Sequence, residues 1–393
     1  MRPGALVTGA SYRALAVARS LGRRGVSVRV VRSDEHALAQ TSRYVSGRLS
    51  WPAASDAGRR VGYLLDLADR EGLRDWVLIP THDEEAALIA RHRESLAGPY
   101  RLTTPGWETL RAAYDKRFTY ALGADAGLDQ PWTLFPDGEA ALQQAEGRFP
   151  VVIKPAYKAS ANRLTVDKAW RADDAEALRR LYRRACSLVD PRILMVQQLV
   201  AGNGDSQLSY AALCSNGEVV ASLSARRLRQ YPMDFGRAST HVETIDDPGL
   251  ERDATRLLAA MGFTGMVEVE FKRDPVTGAN LLLDVNPRAW GWQSLGGRAG
   301  VDFPYLLWRL ATGDRVPRTR AAAGVRWVRA GTDLLAATGE WAAGRLSPGD
   351  YVRSLRAPLE FAVFAPDDPL PALAGPVLTA RLVARRLASG RPV

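Results

Sequence analysis

The sequence predicts an α/β protein that opens with a Rossmann-like domain, and three observations carry that expectation. Residues 5–10 form a short apolar run that ends in a glycine turn, and residues 12–24 follow with helical spacing, Leu15, Val17, Ala18 and Leu21 being apolar. Residues 26–31 then read as a second strand, which completes a βαβ unit. Helix and strand signals go on alternating through residues 58–71 and 76–79, and a chain of 393 residues is too long for a single core, so two or three domains are expected.

Composition narrows the function classes. Hydrophobic residues make up 46% of the chain and charged residues 24%, an ordinary balance for a globular protein in water. No apolar run approaches the roughly 18 residues of a membrane-spanning helix. The run that follows Met1 is broken at Gly9 and Arg13, too soon for a secretory signal, so a cytoplasmic location is expected. Cys186 and Cys214 stand far apart without a CxxC context and read as reduced fillers. The net charge of +10 comes largely from arginines along helices, as at Arg179, Arg180, Arg183 and Arg184. There is no concentrated basic patch with interleaved aromatics, so neither a nucleic-acid nor a membrane partner is expected.

In chain order, Thr8-Gly-Ala-Ser-Tyr-Arg13 lacks the GxGxxG spacing of a dinucleotide site, which makes the opening domain a scaffold. His82 and Asp83 follow the strand at 76–79 and read as a helix cap and first turn. One helix is expected over 104–126 and includes Lys116. Residues 149–155 form a strand ending at Lys154; a small polar stretch (156–163), a short strand (164–166) and a helix (173–187) follow. The strand at 193–200 breaks at the glycines of 201–205, and residues 206–214 and 218–226 pair about Ser215-Asn-Gly217. Helices at 248–261 and 302–313 flank a hairpin. Beyond 312 only a strand at 361–364 and a basic amphipathic helix at 377–388 stand out.

The hairpin carries the chemistry. Val267, Val269 and Phe271 alternate with polar residues, residues 281–288 read Leu-Leu-Leu-Asp-Val-Asn-Pro-Arg, and the link at 274–280 holds the Asp, Pro and Gly of a turn. Folding one strand onto the other brings Glu270 near Asp284 and Asn286. Two carboxylates and an amide oxygen suit a hard cation such as Mg²⁺. They suit strand-edge ion pairs with Arg or Lys equally well, and these residues alone leave the two readings level.

No GxxxxGK[ST], HExxH or GxSxG is present. In order along the chain stand Lys116, Lys154, a small-residue loop, a strand with a glycine-rich break, Arg226, Arg227, Arg229, and then Glu270, Asp284, Asn286 and Arg288. This order resembles the ATP-grasp superfamily of carboxylate–amine ligases over roughly residues 1–312, most specifically in Val152-Ile-Lys-Pro155, Glu270-Phe271 and Asp284-Val-Asn-Pro-Arg288. The resemblance implies a Rossmann-like pre-ATP-grasp domain at 1–112 and an ATP-grasp fold at 113–312 with a lid subdomain near 150–198. A C-terminal extension of unclear fold remains at 313–393. ATP and two Mg²⁺ ions are the implied cofactors, with Mn²⁺ an alternative. By the same resemblance Lys116 and Lys154 hold the phosphates, and residues 156–163 cover them, with Lys158 and Ser160 where the family is rich in glycine. Gln197, Gln198, Leu199 and Val200 look like the adenine hinge, and Asp205 like the ribose ligand. Glu270, Asp284 and Asn286 look like the metal ligands, Asp284 replacing the more common Glu. Arg288 looks like the residue that stabilises charge on the phosphoryl group, and Arg227 and Arg229 like phosphate or substrate-carboxylate binders.

The implied reaction joins a small carboxylate to a small amine, an amino acid or short peptide among them, through an acyl phosphate, releasing ADP and phosphate. Competing readings are an ATP-grasp carboxylase or purine-pathway ligase, and a non-catalytic ATP-binding module. His241 has no Ser or Cys partner and reads as structural. Trp290 and Trp292 wall an acceptor pocket or belong to the core. Homodimerisation stays open.

Overall fold

The computed structural model describes residues 2–33, 37–53, 56–157, 162–202, 206–231, 238–356 and 358–388. Its first sheet is parallel: β1 (Ala5–Thr8), β2 (Val28–Arg32), β3 (Gly47–Ser50), β4 (Trp76–Pro80) and β5 (Tyr100–Leu102), in the order β3-β2-β1-β4-β5. The strands are apolar on both sides because helices cover both faces. Val7, Val30 and Ile79 pack with Leu15 and Leu21 of the helix Tyr12–Gly22, while Leu6, Val31 and Leu78 pack with Leu64 and Leu67 of the helix Ala57–Arg70. The strand order reverses between β1 and β4. The turns after those strands therefore meet, and Gly9, in the left-handed region at φ +96°, leaves no room for a side chain against Thr81 and His82.

The helix expected over 104–126 is two helices, Trp107–Tyr114 and Lys116–Asp125. Asp115 takes extended backbone between them and caps the second, its carboxylate accepting from the Arg117 N–H at 3.1 Å. A small antiparallel sheet follows, in the order β6-β9-β7-β8, from β6 (Thr133–Leu134), β7 (Val151–Pro155), β8 (Trp170–Ala172) and β9 (Leu194–Gln198). The helix Ala175–Cys186 covers it through Leu178, Tyr182 and Ala185. Residues 164–166, expected as a strand, lie in the helix Arg163–Asp167. The Asn162 side chain accepts from the Thr165 N–H while the Thr165 hydroxyl accepts from the Asn162 N–H, and this reciprocal cap outweighs the strand preference of Thr165 and Val166.

The third sheet has eight strands. It comprises β10 (Gln207–Ser215), β11 (Glu218–Tyr231), β12 (Ala238–Ile245), β13 (Gly265–Arg273), β14 (Asn280–Asn286), β15 (Thr319–Arg320), β16 (Arg326–Val328) and β17 (Leu359–Phe361). The order is β14-β13-β10-β11-β12-β16-β17, with β15 beside β11, so residues beyond 312 continue this sheet. The expected strand at 361–364 lies at 359–361. One face of β10 and β13 presents Leu208, Tyr210, Val267, Val269 and Phe271 to Leu250, Ala254, Leu257 and Leu258 of the helix Pro248–Ala260. At about 1.5–3 kcal/mol per buried aliphatic or Phe side chain, that face fixes the register and turns Glu268 and Glu270 to the other side.

The helix Leu370–Ala388 lies against the turn Leu38–Thr41, and Asp368 secures its approach. Asp368 accepts from Arg19 Nε at 2.9 Å, from the Ser42 hydroxyl at 2.6 Å and from the Arg43 N–H at 3.0 Å. Burial pulls its carboxyl up, but these donors hold it below the ordinary range. Among the described residues no helix is long and apolar enough to cross a membrane. Replacing Asp368 by Ala leaves Arg19 buried without a counter-charge and is expected to cost about 3–5 kcal/mol in urea unfolding at pH 7. Because the folded pKa is depressed, the wild-type advantage is intact above about pH 4 and disappears as the pH falls through the folded pKa.

Candidate functional site

A cleft of about 1350 Å³ opens where the carboxyl edge of the first sheet, the small sheet and the polar face of the large sheet meet. Its floor is the β13–β14 pair, in which Glu270 stands opposite Asp284 and Glu268 opposite Asn286. The period of two puts all four side chains on one face. Asp284 accepts from Lys116 Nζ at 2.7 Å. Glu270 accepts from Gln207 and from Asn286 Nδ2, both at 2.9 Å, and Arg227 lies 3.5 Å away. Glu268 accepts from Ser209 and from Trp292 Nε1, both at 3.0 Å, and from Asn286 Nδ2 at 3.2 Å. Burial raises both glutamates. At Glu270 the charges of Arg227 and Lys168 win and lower it, whereas Glu268, with Glu270 beside it, is held up.

The small sheet supplies the opposite wall. Lys154, at the end of β7, donates to Gln197 Oε1 at 2.8 Å, and Gln197 Nε2 donates to the Tyr120 hydroxyl at 2.8 Å and to Thr133 at 2.9 Å. Tyr120 in turn donates to the Leu283 carbonyl at 2.9 Å. The buried side chain of Gln197, expected at an adenine hinge, therefore positions Lys154. Desolvation first, then Lys116, lowers Lys154 to about 8, with Asp284 opposing. Of the other hinge residues, Gln198 is exposed, and Leu199 and Val200 are half-buried. The Leu199 N–H is donated to the Pro150 carbonyl at 3.0 Å, and the Val200 and Gly202 carbonyls accept from Lys272 at 2.8 and 2.9 Å. Lys158, Ser160 and Asp205 lie outside the described residues.

Sequence reasoning missed three members of the cleft. Lys168, in left-handed backbone at φ +67°, follows the short helix that had read as a strand. Its side chain stays solvent-accessible, yet crowding in the cleft lowers it to about 8. Desolvation leads and Arg227 and Lys116 add to it, against the pull of Glu270 and Asp284. Glu268 was hidden by its place in the same alternation that singled out Glu270. Asp83, read only as a first-turn residue, accepts from Arg288 Nε at 2.8 Å.

The arginines divide. Arg288 also donates to Asn286 Oδ1 at 2.9 Å, and Arg227 donates to Gln230 at 2.8 Å beside Glu270. Arg229, expected to bind phosphate or substrate, is instead committed to Asp333 through Nε at 2.9 Å and Nη2 at 2.8 Å, with its guanidinium over the Tyr351 ring. Asp333, fully buried, also accepts from Thr240 at 2.8 Å, so an internal ion pair uses this charge. Arg226 likewise turns to Glu243. His241, on β12, is buried and pushed down to about 3 by desolvation and by Arg229, which keeps it neutral. Trp290 is core, edge-on to Phe303, while Trp292 lines the cleft.

Among the described residues no group of three or more His, Cys, Asp or Glu side chains is disposed to hold a metal ion. A Mg²⁺ shared with phosphate oxygens needs only one or two carboxylates, and Glu270 with Asp284 meets that need. Asn286 faces these carboxylates with Nδ2, since its Oδ1 accepts from Arg288; coordination through that oxygen requires the amide to turn.

Residues 194–331 match a family described as ATP-grasp in the biosynthetic pathway with Ter operon. The L-amino acid ligase of Bacillus licheniformis superposes with a TM-score of 0.61 at 15% identity, over 80% of this chain and 75% of that one. The chain has the ATP-grasp fold. Two further ATP-grasp neighbours agree. The biotin carboxylase domain of the Hydrogenobacter thermophilus 2-oxoglutarate carboxylase, solved with MgADP, ADP and bicarbonate, gives a TM-score of 0.66 at 15% identity over 83% of this chain and 74% of that one. The N5-carboxyaminoimidazole synthetase of Staphylococcus aureus gives 0.59 at 13% identity over 81% and 80%. No curated protein sequence matches this chain.

The internal role of Arg229 has a direct test. Asp333→Ala is expected to destabilise the protein by about 3–5 kcal/mol in urea unfolding, because it strands a buried guanidinium. Stability within about 0.5 kcal/mol of wild type would show that the pair does not commit Arg229 and would leave its charge available to a ligand.

Proposed function

We propose that this chain is an ATP-dependent carboxylate–amine ligase that forms an amide or peptide bond between small molecules through an acyl phosphate. The observation that carries the reading is the convergence of Lys116, Lys154, Lys168, Glu270, Asp284 and Arg288 on one cleft. A carboxylate is a poor electrophile because substitution must expel oxide. Transfer of a phosphoryl group to its oxygen creates a good leaving group, and attack by an amine then forms the C–N bond and expels phosphate. Such chemistry needs positioning and charge neutralisation rather than a covalent protein nucleophile.

Each part of the cleft has a place in that scheme. Lys116, Lys154 and Lys168 would hold the ATP phosphates, as compact charges that tolerate movement during transfer. Glu270 and Asp284, with Asn286 once turned, would hold Mg²⁺, which neutralises phosphate charge when bound. Arg288, fixed between Asp83 and Asn286, aims N–H donors at the place where charge develops on the acyl phosphate. Arg227 keeps Glu270 ionised. The small sheet, with residues 150–198 at its centre, serves as the lid that keeps water from the intermediate. The two cysteines are free thiols, which suits the cytoplasm.

The test is ADP release from a panel of small acids and amines with the full chain. Release is expected to require one acid and one amine together, and hydroxylamine in place of the amine is expected to yield an acyl hydroxamate. Lys154→Ala and Glu270→Gln should each lower kcat/KM by about 100-fold or more. Formation of AMP and pyrophosphate would exclude the acyl-phosphate route, and full activity in both variants would exclude this site. Release that depends on bicarbonate alone would instead favour the carboxylase reading, which the fold of the Hydrogenobacter enzyme also suits.

A further inference from the structure

We infer that Arg13 anchors a second, non-reacting carboxylate of a substrate at the end of the cleft formed by the first sheet. This rests on the ligase reading and adds a recognition element to it. Arg13 sits in the first turn of the helix Tyr12–Gly22, directly after β1, at the point where the strand order reverses. Open α/β sheets place ligands at such points. Its backbone is fixed from the far side of the cleft: Gln293, fully buried, donates to the Arg13 carbonyl at 2.8 Å. Gly291 makes this close approach feasible, since a side chain there would press on the Tyr12 hydroxyl.

The guanidinium is the exception among the arginines of the cleft. Arg227 lies against Glu270, Arg229 is paired with Asp333 and Arg288 with Asp83. Among the described residues Arg13 has no carboxylate within ion-pair distance, and its side chain makes one long bond, from Nη1 to the Thr81 carbonyl at 3.5 Å. Its Nε is shut off from solvent and has no hydrogen-bond partner among the described residues. A shielded cationic donor without an acceptor is a costly arrangement that an anionic ligand relieves.

The chemistry of that anion follows from the surroundings. Arg288 is paired with Asp83, and Glu268 already acts on Arg13, so the surroundings favour no more than one added negative charge, and a planar guanidinium matches a carboxylate through two parallel N–H bonds. A phosphate dianion would need a further cation. Tyr12 and Trp292 border the same cleft. Contacts run in sequence from Lys116 to Asp284, to Glu270 across the strand pair, to Asn286 and then to Arg288. The charged groups that act on Arg13 are Arg288, Asp83 and Glu268 rather than Lys116 or Asp284, which assigns to it the carboxylate that is not phosphorylated. It belongs either to the amine substrate, as in an amino acid, or to an acid substrate with two carboxylates.

The test compares wild type with Arg13→Gln and Arg13→Lys in the full chain. Tryptophan fluorescence, with Trp292 in the cleft, would report binding of free amino acids and small dicarboxylates in the presence of MgADP. Each would be paired with its amide, which keeps the size and removes the charge. At least one carboxylate is expected to bind about tenfold or more tightly than its amide; Arg13→Gln erases the difference and Arg13→Lys restores part of it. Steady-state kinetics then identifies the carrier, because in Arg13→Gln the KM of the acid or of the amine rises about tenfold, more than kcat falls. Equal binding of every carboxylate and its amide by wild type overturns the proposal, as does an Arg13→Gln variant that keeps the difference. Since the binding arm needs no turnover, a panel that never releases ADP defeats the ligase reading while the role of Arg13 is still decided by binding.

Discussion

Carboxylates on neighbouring strands repel one another, and the face shared by Glu268, Glu270 and Asp284 exists because cations reach it from three separate segments. Two like charges about 5 Å apart at an effective dielectric near 20 cost roughly 3 kcal/mol. The strands cannot slip to relieve that repulsion, because Val267, Val269 and Phe271 lock the register from the back. Lys116 therefore comes from a helix that starts at a cap, Arg227 from β11, and Lys168 from the end of a short capped helix. The fold is arranged around neutralising one polar sheet face.

The same principle extends beyond the cleft. Arg229 and Asp333, Arg226 and Arg326 with Glu243, and Arg19 with Asp368 are pairs that tie distant parts of the chain together. The first two sets attach residues 313–361 to the large sheet, and the third attaches the last helix to the first domain. Breaking a buried pair by removing one partner is much more costly than never having it, which makes each of them a lock. The C-terminal segment is consequently part of the structure that shapes the cleft, and Glu340 and Arg345 line it.

What the sequence disclosed followed from short-range periodicity. Alternation at Val267, Val269 and Phe271 located the central hairpin, and the facing of Glu270 and Asp284 followed from it. Helix boundaries were legible in part: Asp115 split one helix, Asn162 turned an expected strand into another, the helices Ala330–Ala342 and Pro348–Ser354 were not foreseen, and the last helix begins at Leu370 rather than at 377. The first two outcomes depend on a single side chain bonding to a nearby N–H, a signal that β-propensity outvotes. Side-chain direction across the sheet was not legible. Nothing local distinguishes Arg227, which faces the carboxylates, from Arg229, two residues further along a strand whose pairing is irregular between them. The role of Asp83 was not legible because its partner Arg288 lies 205 positions away, and nothing in the local pattern marks Arg13.

The ion pairs of the cleft also bear on how a nucleotide would be received. Lys116 is held by Asp284 and Lys154 by the neutral amide of Gln197, so neither lysine is committed to a bond that a phosphate could not replace. Burial first and the Lys116 charge second lower Lys154, and a polyanion entering there would oppose that shift by favouring the charged ammonium. Asp284 released by Lys116 becomes available to a cation in the same exchange. On the ligase reading, nucleotide and metal would then favour each other's binding, because each takes over a partner that the other frees. Arg288 stands outside this exchange, since its partner is Asp83, in the helix that follows β4, and not a group that the phosphates would displace. On the same reading, the donor that would meet the developing charge is thereby placed before the substrates arrive, and preorganisation of that kind makes electrostatic stabilisation effective.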